Sequence, residues 1–342
     1  MLKTAIVILN FNGKHFLEKF LPSVVENSQK NAETMIFVAD NASNDDSLGF
    51  LSLHYPQIKT VVLDKNYGFA EGYNLALERI RADFSPKYYV LLNSDVEVTP
   101  NWLAPLENLL DNDNEIAACQ PKILSYHQKT HFEYAGGAGG FLDKFGFAFC
   151  RGRIFDSLEE DKGQYNDTKA IFWATGACMF VRADTYHELG GLDGHFFAHQ
   201  EEIDLCWRMQ NNNKKVFYCA ESHVFHVGGG TLHKSNPKKT YLNFRNNLIL
   251  LHKNFPNNFH SFLLIYFRLI LDSLAIANFL LKGQFKDVWA VLKAHFSYYH
   301  YLISHKKILT EKQKSLIKNT KLYPKSIVWA YFVRKIKKFS DL

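Results

Sequence analysis

Apolar residues recur in four short runs, at 4–9, 35–39, 60–63 and 88–92, and helical periodicity follows them near 14–28, 45–53, 70–81 and 101–110. Strand and helix at such intervals predict βα units, and hence an α/β fold with an open, mostly parallel sheet flanked by helices. The fourth run, Tyr88-Tyr89-Val90-Leu91-Leu92, is aromatic or branched throughout. It is too continuous for a half-exposed strand and reads as buried on both faces. Polar residues then begin abruptly at Asn93-Ser94-Asp95. The first and second runs also end in Asn or Asp, at Asn10 and Asp40-Asn41, so polar groups gather along one edge of the sheet, where an open α/β fold places its ligand cleft.

Farther along the chain the pattern weakens. The glycine-rich stretch Gly136-Gly137-Ala138-Gly139-Gly140 and the charged segment after it predict long loops and a small hairpin between 120 and 170, not a separate domain. Order returns at 171–182, Gly190-Gly191-Leu192-Asp193 predicts a turn before a helix carrying Glu201 to Gln210, and 216–219 predicts a strand. From 240 onward the chain is helical, aromatic and basic. The expected division is an α/β domain over 1–250 and a helical extension over 251–342.

Composition sharpens this division. With 342 residues and 47% hydrophobic content the chain can bury a sizeable core, and much of its 29 Phe and 17 Tyr falls after residue 240. Residues 253–342 hold 16 Lys/Arg against 4 Asp/Glu, whereas the rest is net acidic, a distribution unlike that of a nucleic-acid binder. The five cysteines are scattered without a Cys-x-x-Cys pair, which predicts reduced, buried thiols in a cytoplasmic protein. The N-terminal apolar run is too short for a secretory signal and reads as a first strand, so the sequons at Asn41 and Asn166 carry no glycosylation meaning.

The segment 262–281 is nearly long enough to span a bilayer, but Arg268, Asp272 and Asn278 interrupt it, and a mid-helix charge costs about 2.5–3.5 kcal/mol on insertion. Helices lying in the interface of an anionic cytoplasmic leaflet suit the aromatic and basic residues better. The competing expectation is a helical cap packed on the α/β domain.

Four segments carry candidate chemistry. Asp40 closes the second strand and is placed to accept from a nucleobase or ribose, while Ser43 reads as the N-cap of the helix that follows. Asn66-Tyr67-Gly68-Phe69-Ala70-Glu71-Gly72-Tyr73-Asn74 puts two glycines at a helix start, where backbone can approach a phosphate, although ordinary turn chemistry would serve as well. Glu201, Glu202 and Asp204 crowd three carboxylates into four positions at a helix start. The helix dipole and an Arg208 pairing account for one or two, and the remaining one calls for a cation or a proton to abstract. His223 and His226, after the 216–219 strand, are either structural or part of a divalent-metal site with an acidic strand-end loop.

Together these segments resemble family-2 glycosyltransferases of the GT-A fold, in particular the rhamnosyltransferase-like branch of bacterial surface polysaccharide synthesis, over roughly residues 3–250. The resemblance implies a catalytic domain over 1–250 and assigns donor contacts to Asn10, Asp40, Asn66, Gly68, Gly72, Asn74, Asn93 and Ser94. It assigns the acceptor side to Gly176, Ala177, Glu201 and Asp204, the catalytic base to Glu202, and a Mg²⁺ or Mn²⁺ site to Asp95 and His226. Asn93 stands where the family's Asp-x-Asp has its first Asp, and Glu202 where the family usually has Asp. The implied reaction is an inverting transfer from a nucleoside-diphosphate sugar, UDP- or dTDP-linked with dTDP-rhamnose among the candidates, to a glycan or polyprenyl-diphosphate-linked acceptor. An anionic membrane surface is the expected partner, nucleic acid is not, and the implied location is cytoplasmic, peripheral on the inner face of the cell membrane. The two departures motivate the alternative of a sugar-nucleotide-binding or assembly protein without catalysis. A nicotinamide dehydrogenase is disfavoured because Asn10-Phe11-Asn12-Gly13 is not the dinucleotide fingerprint.

Overall fold

The computed structural model describes residues 2–28, 33–228, 236–256, 258–304 and 322–342. Strands β1 (Thr4–Asn10), β2 (Thr34–Asp40), β3 (Lys59–Val62) and β4 (Tyr88–Asn93) pair in parallel in the order β3-β2-β1-β4. Helices α1 (Lys14–Ser28), α2 (Ser47–His54) and α3 (Gly68–Phe84) connect them. The expected continuous burial of β4 is realised, since Tyr88 to Leu92 are each at most 1% exposed, between two apolar layers. Register places Asn10 beside Asp40 and Leu9 beside Asn93, so the polar strand ends line up along one edge.

The sheet continues past β5 (Val96–Val98) and α4 (Leu103–Asn112) with a second, mixed half. Here the expectation of loops and one hairpin over 120–170 is corrected. Strand β6 (Ile116–Ser125) is ten residues long and almost wholly buried. Its apolar pattern is broken by Gln120, Pro121 and Lys122, whose polar ends are matched inside: Lys122 Nζ donates to Asp161 and Asn166, and Gln120 Nε2 to the Gly136 carbonyl. Strands β7 (Gly140–Leu142), β8 (Ala148–Cys150), β9 (Arg153–Ile154) and β10 (Ser157–Leu158) form a separate four-stranded antiparallel sheet. Strands of two or three residues are too short to display a period in sequence.

Strands β11 (Thr168–Ile171) and β12 (Cys178–Arg182) join the main sheet, β12 running antiparallel between β4 and β6. After the short α5 (Ala183–Glu188) and α6 (Glu201–Asn211) comes β13 (Lys215–His226), which pairs in parallel with β6 and continues well beyond the expected 216–219. A register shift between Cys219 and His223 carries the strand on, so both histidines lie within it and not after it. All five cysteines are free and buried.

Helix α7 (Pro237–Asn254) runs through position 250, with Leu248 to Leu251 buried in the larger apolar cluster. Helices α8 (Phe259–Leu281) and α9 (Phe285–Ser304) follow, and α10 (Ile327–Phe332) packs Ile327 and Ala330 on Phe149 and Ile154 of the small sheet. Helix α8 is inside out: its buried residues are Ser261, Arg268 and Asp272, while Phe262, Leu274 and Leu281 are more than half exposed.

Candidate active site

At the parallel strand ends, Asn10 is fully buried and donates through Nδ2 to Asp40 Oδ1 at 3.2 Å and Ser43 Oγ at 3.1 Å. Its Oδ1 is shielded from solvent and has no partner among the described residues, an open acceptor at the centre of the cluster. Asp40 Oδ2 accepts from the Ser43 N–H. Ser43 is therefore not the N-cap that the sequence suggested; its hydroxyl accepts from Asn10 and from the Asn12 N–H, and α2 begins four residues later. Gly13 allows the turn to close on this group, because a Cβ there would lie 2.4 Å from Asn10 Oδ1 and 3.6 Å from Ser94 Oγ.

Asn41 orders the next segment. Its amide donates to Asn66 Oδ1 and the Gly68 carbonyl and accepts from the Tyr67 N–H, all within 3.1 Å. Gly72 packs on the same amide, where a Cβ would sit 3.1 Å from Asn41 Nδ2. The expectation that the α3 N-terminus is open to a phosphate is corrected. The Phe69 and Ala70 N–H groups both point at the Phe197 carbonyl, and Gly68, at φ +77°, lets that residue approach closely. Asn74 braces the 186–192 turn, exchanging hydrogen bonds with Leu192 N and O and accepting from the Tyr186 hydroxyl. It does not reach the strand-end cluster through any of these bonds.

Asp95, just past β4, lies with Oδ1 3.2 Å from His226 Nε2 at the end of β13, and Asn93 Nδ2 is 3.4 Å from the same nitrogen. On the other side of the imidazole, Nδ1 faces Glu133 Oε2 at 3.2 Å. Burial works against charge on His226, but Asp95 and Glu133 outweigh it and raise its pKa to about 10, so the ring is an imidazolium between two carboxylates. Burial likewise opposes ionisation of Asp95 and Glu133, and the imidazolium holds both below their ordinary values. Asp95 offers an anionic oxygen, and His226 Nε2 would become a nitrogen donor only on losing its proton, so a Mg²⁺ or Mn²⁺ bound by this pair would displace that proton and take its other ligands from a diphosphate. No group of three or more metal-ligating side chains occurs among the described residues. Glu133, on the opposite ring nitrogen, would orient the histidine.

Glu202 opens α6. The residue is partly exposed, but its Oε2 is shielded and has no partner among the described residues, and burial raises its pKa to about 7. Glu201 beside it is fully buried with an equally unpartnered Oε2, and burial together with the Glu202 charge pushes it well above the carboxylate range. Asp204 is different: it is ion-paired with Arg208 at 2.8 Å and Lys253 at 3.1 Å and accepts from Asn254, which makes it a structural residue of the α6–α7 contact. Gly176 and Ala177 connect the two halves of the site. A Cβ at Gly176 would stand 3.9 Å from Glu202 Cβ, and the Ala177 carbonyl accepts from the Asn93 N–H at 3.0 Å.

The loop before Glu201 is strained, with Phe197, His199 and Gln200 all at positive φ. Helix α7 holds it there. Arg245 Nη2 donates to the His195 and Phe196 carbonyls, and Asn246 Nδ2 lies within 3.0 Å of the Phe196, Ala198 and His199 carbonyls. Asn247 reaches Gln200 Oε1, and its own Oδ1 accepts from Arg268 of α8.

Glu133, Asn41 and Asn246 escaped the sequence reading. Glu133 comes from an unpatterned segment. Asn41 had been counted as strand-end polarity only, and Arg245-Asn246-Asn247 was a readable signal, a polar triplet in the apolar helix 242–251.

Residues 5–190 match the family described as Glycosyl transferase family 2. The rhamnosyltransferase WbbL of Escherichia coli is 23% identical over 226 residues, 65% of this chain and 82% of that protein. The N-acetylglucosaminyl-diphospho-decaprenol L-rhamnosyltransferase of Mycobacterium tuberculosis is 19% identical over 232 residues, covering 65% and 75%. Among solved structures, the mannosyltransferase PcManGT from Pyrobaculum calidifontis in complex with GDP-Man and Mn²⁺ superposes with a TM-score of 0.51 at 12% identity, over 92% of this chain and 78% of that one. The strand-end cluster, the β4 edge and the acidic start of α6 thus occur in a chain whose fold is that of the GT-A glycosyltransferases, and the chain belongs to glycosyl transferase family 2.

Proposed function

We propose that this protein is an inverting glycosyltransferase that moves a sugar, rhamnose by similarity to its relatives, from a UDP- or dTDP-linked donor to a hydroxyl of a glycan or lipid-diphosphate-linked glycan. The observation that carries this reading is the unpartnered Oε2 of Glu202 beside Gly176, whose neighbour Ala177 accepts from the Asn93 N–H two positions before Asp95. In a single displacement Glu202 takes the acceptor hydroxyl proton and the oxygen bonds to the anomeric carbon. The bond from that carbon to the nucleoside diphosphate breaks, and the diphosphate leaves with the electron pair. Asn10, Asp40 and Ser43 contact the nucleoside and Asn93 a ribose hydroxyl, while Asn66 and Gly68 hold Asn41 in place beside them on the donor side. Asp95 and His226 would hold Mg²⁺ or Mn²⁺, which offsets charge on the departing diphosphate when bound. The nucleotide is identified by thermal shift with UDP, dTDP and GDP: one of them is expected to raise the Tm, more so with Mn²⁺, and no shift with any nucleotide would contradict a donor site.

We further place the protein on the inner face of the cell membrane. Helix α8 is long and apolar enough to cross a bilayer, yet it buries its polar seam, Arg268 and Asp272, against the protein and turns an apolar face outward. Trp289 and Phe296 of α9 and Trp329 of α10 extend the exposed aromatic surface. Lys282 and Lys286 flank it, as suits a helix lying in an anionic interface. The full-length protein is expected to float with vesicles containing phosphatidylglycerol in a density gradient. Sedimentation free of lipid would contradict this placement.

A further inference from the structure

A cavity of about 520 Å³ lies between α7 and α9, with Tyr241, Arg245, Trp289, Lys293, Phe296 and His300 in its wall. Among the described residues no carboxylate lines it. The Arg245 guanidinium donates to the His195 and Phe196 carbonyls, the Asn246 side-chain oxygen and the Tyr241 hydroxyl, all neutral acceptors, so none of these bonds offsets its charge. Burial favours the neutral form of Tyr241, but the Ser297 hydrogen bond and the nearby Arg245 and Lys293 charges hold its hydroxyl below the usual phenol value, the mark of a positive field. Aromatic and imidazole rings, with Ile249, Ser297 and Ser304, complete the wall, and Trp289 and Phe296, 65% and 70% exposed, open it onto the apolar surface. The cavity also borders His195, which is exposed, and Arg245, which clamps the loop that leads into Glu202.

Two cations, aromatic rings open to the exposed apolar surface and a border on the loop that leads into Glu202 fit one kind of molecule, an amphiphile with an anionic diphosphate head. We propose that this cavity seats the polyprenyl diphosphate of the acceptor. The diphosphate lies on Arg245 and Lys293 and the first isoprene units lie against Trp289 and Phe296, so that the attached saccharide extends along the 195–200 loop towards Glu202. This assignment rests on the lipid-linked reading of the acceptor given above. It places the acceptor anchor in the helical extension, apart from the donor residues of the sheet.

Farnesyl diphosphate, a soluble short-chain probe, tests it by calorimetric titration into the full-length protein, with farnesol and inorganic pyrophosphate as separate arms. Farnesyl diphosphate is expected to bind at least about tenfold more tightly than either fragment, because only it uses both the cations and the aromatic mouth. Lys293→Glu and Phe296→Glu, both at exposed positions, are each expected to weaken it by about tenfold or more. Equal affinity in the wild type and both variants overturns the proposal, as does pyrophosphate binding as tightly as farnesyl diphosphate. UDP and dTDP titrated into the same wild-type preparation report separately on the donor reading. Nucleotide binding without farnesyl diphosphate binding overturns the cavity assignment alone.

Discussion

Glu202→Gln slows sugar transfer by about 10²- to 10⁴-fold while donor affinity stays near that of the wild type, the loss expected when a positioned general base is removed. The substitution keeps the volume and planarity of the side chain and removes only its capacity to take a proton. Because burial raises the wild-type carboxyl to about 7, it is protonated and idle below that pH. The wild-type rate should therefore fall about tenfold per pH unit below 7, and the residual rate of the Gln variant should not show this limb. Glu201 provides the internal comparison. Burial and the neighbouring Glu202 charge disfavour its ionisation, so Glu201→Gln removes a poorer proton acceptor and should cost less than about tenfold. Initial rates of nucleotide release across pH separate the two. If Glu201→Gln were the dead variant and Glu202→Gln the active one, the base would be misassigned.

Asp95→Asn has the second large effect. It keeps the side-chain shape but removes the anionic oxygen that faces His226 Nε2 at 3.2 Å, the charged protein ligand that a divalent cation would use there. Transfer is expected to fall by about 10²-fold or more, and the Mn²⁺-dependent part of the nucleotide thermal shift should disappear with it. Glu133→Gln makes the comparison informative. Glu133 faces the far nitrogen of His226, so it would orient the ring without being a ligand, and metal affinity should drop by about 10–100-fold instead of vanishing. An Asp95→Asn protein that still shows a full Mn²⁺-dependent shift would remove Asp95 from the metal site.

Legibility in the sequence followed the range of the forces involved. Strands β1 to β4 and the helices between them were readable because each is specified locally, by a run of branched or aromatic residues and a polar stop. Asn10, Asp40 and Asn93 were found by the same logic, and parallel register then brings them side by side. Glu133 could not be found this way. It reaches His226 from 93 positions earlier in the chain, through a segment whose glycines and two-residue strands have no period. The α3 N-terminus failed for a related reason: two glycines at a helix start have the same local signature whether the N–H groups meet a phosphate or, as here, the Phe197 carbonyl.

The sequence by itself determined the α/β class, the polar edge of the sheet, the acidic start of α6 and the contrast between an acidic first part and a basic, aromatic end, because these depend on composition and short-range periodicity. Only the tertiary structure decided how these parts combine. It set His226 between Asp95 and Glu133, left Glu202 Oε2 without a partner among the described residues beside Gly176, used Asn246 to hold the strained 196–200 loop, and turned the apolar face of α8 outward. Burial and the charges that face a group decide whether it is a ligand, a base or a brace, and both arise from contacts between residues far apart in the chain.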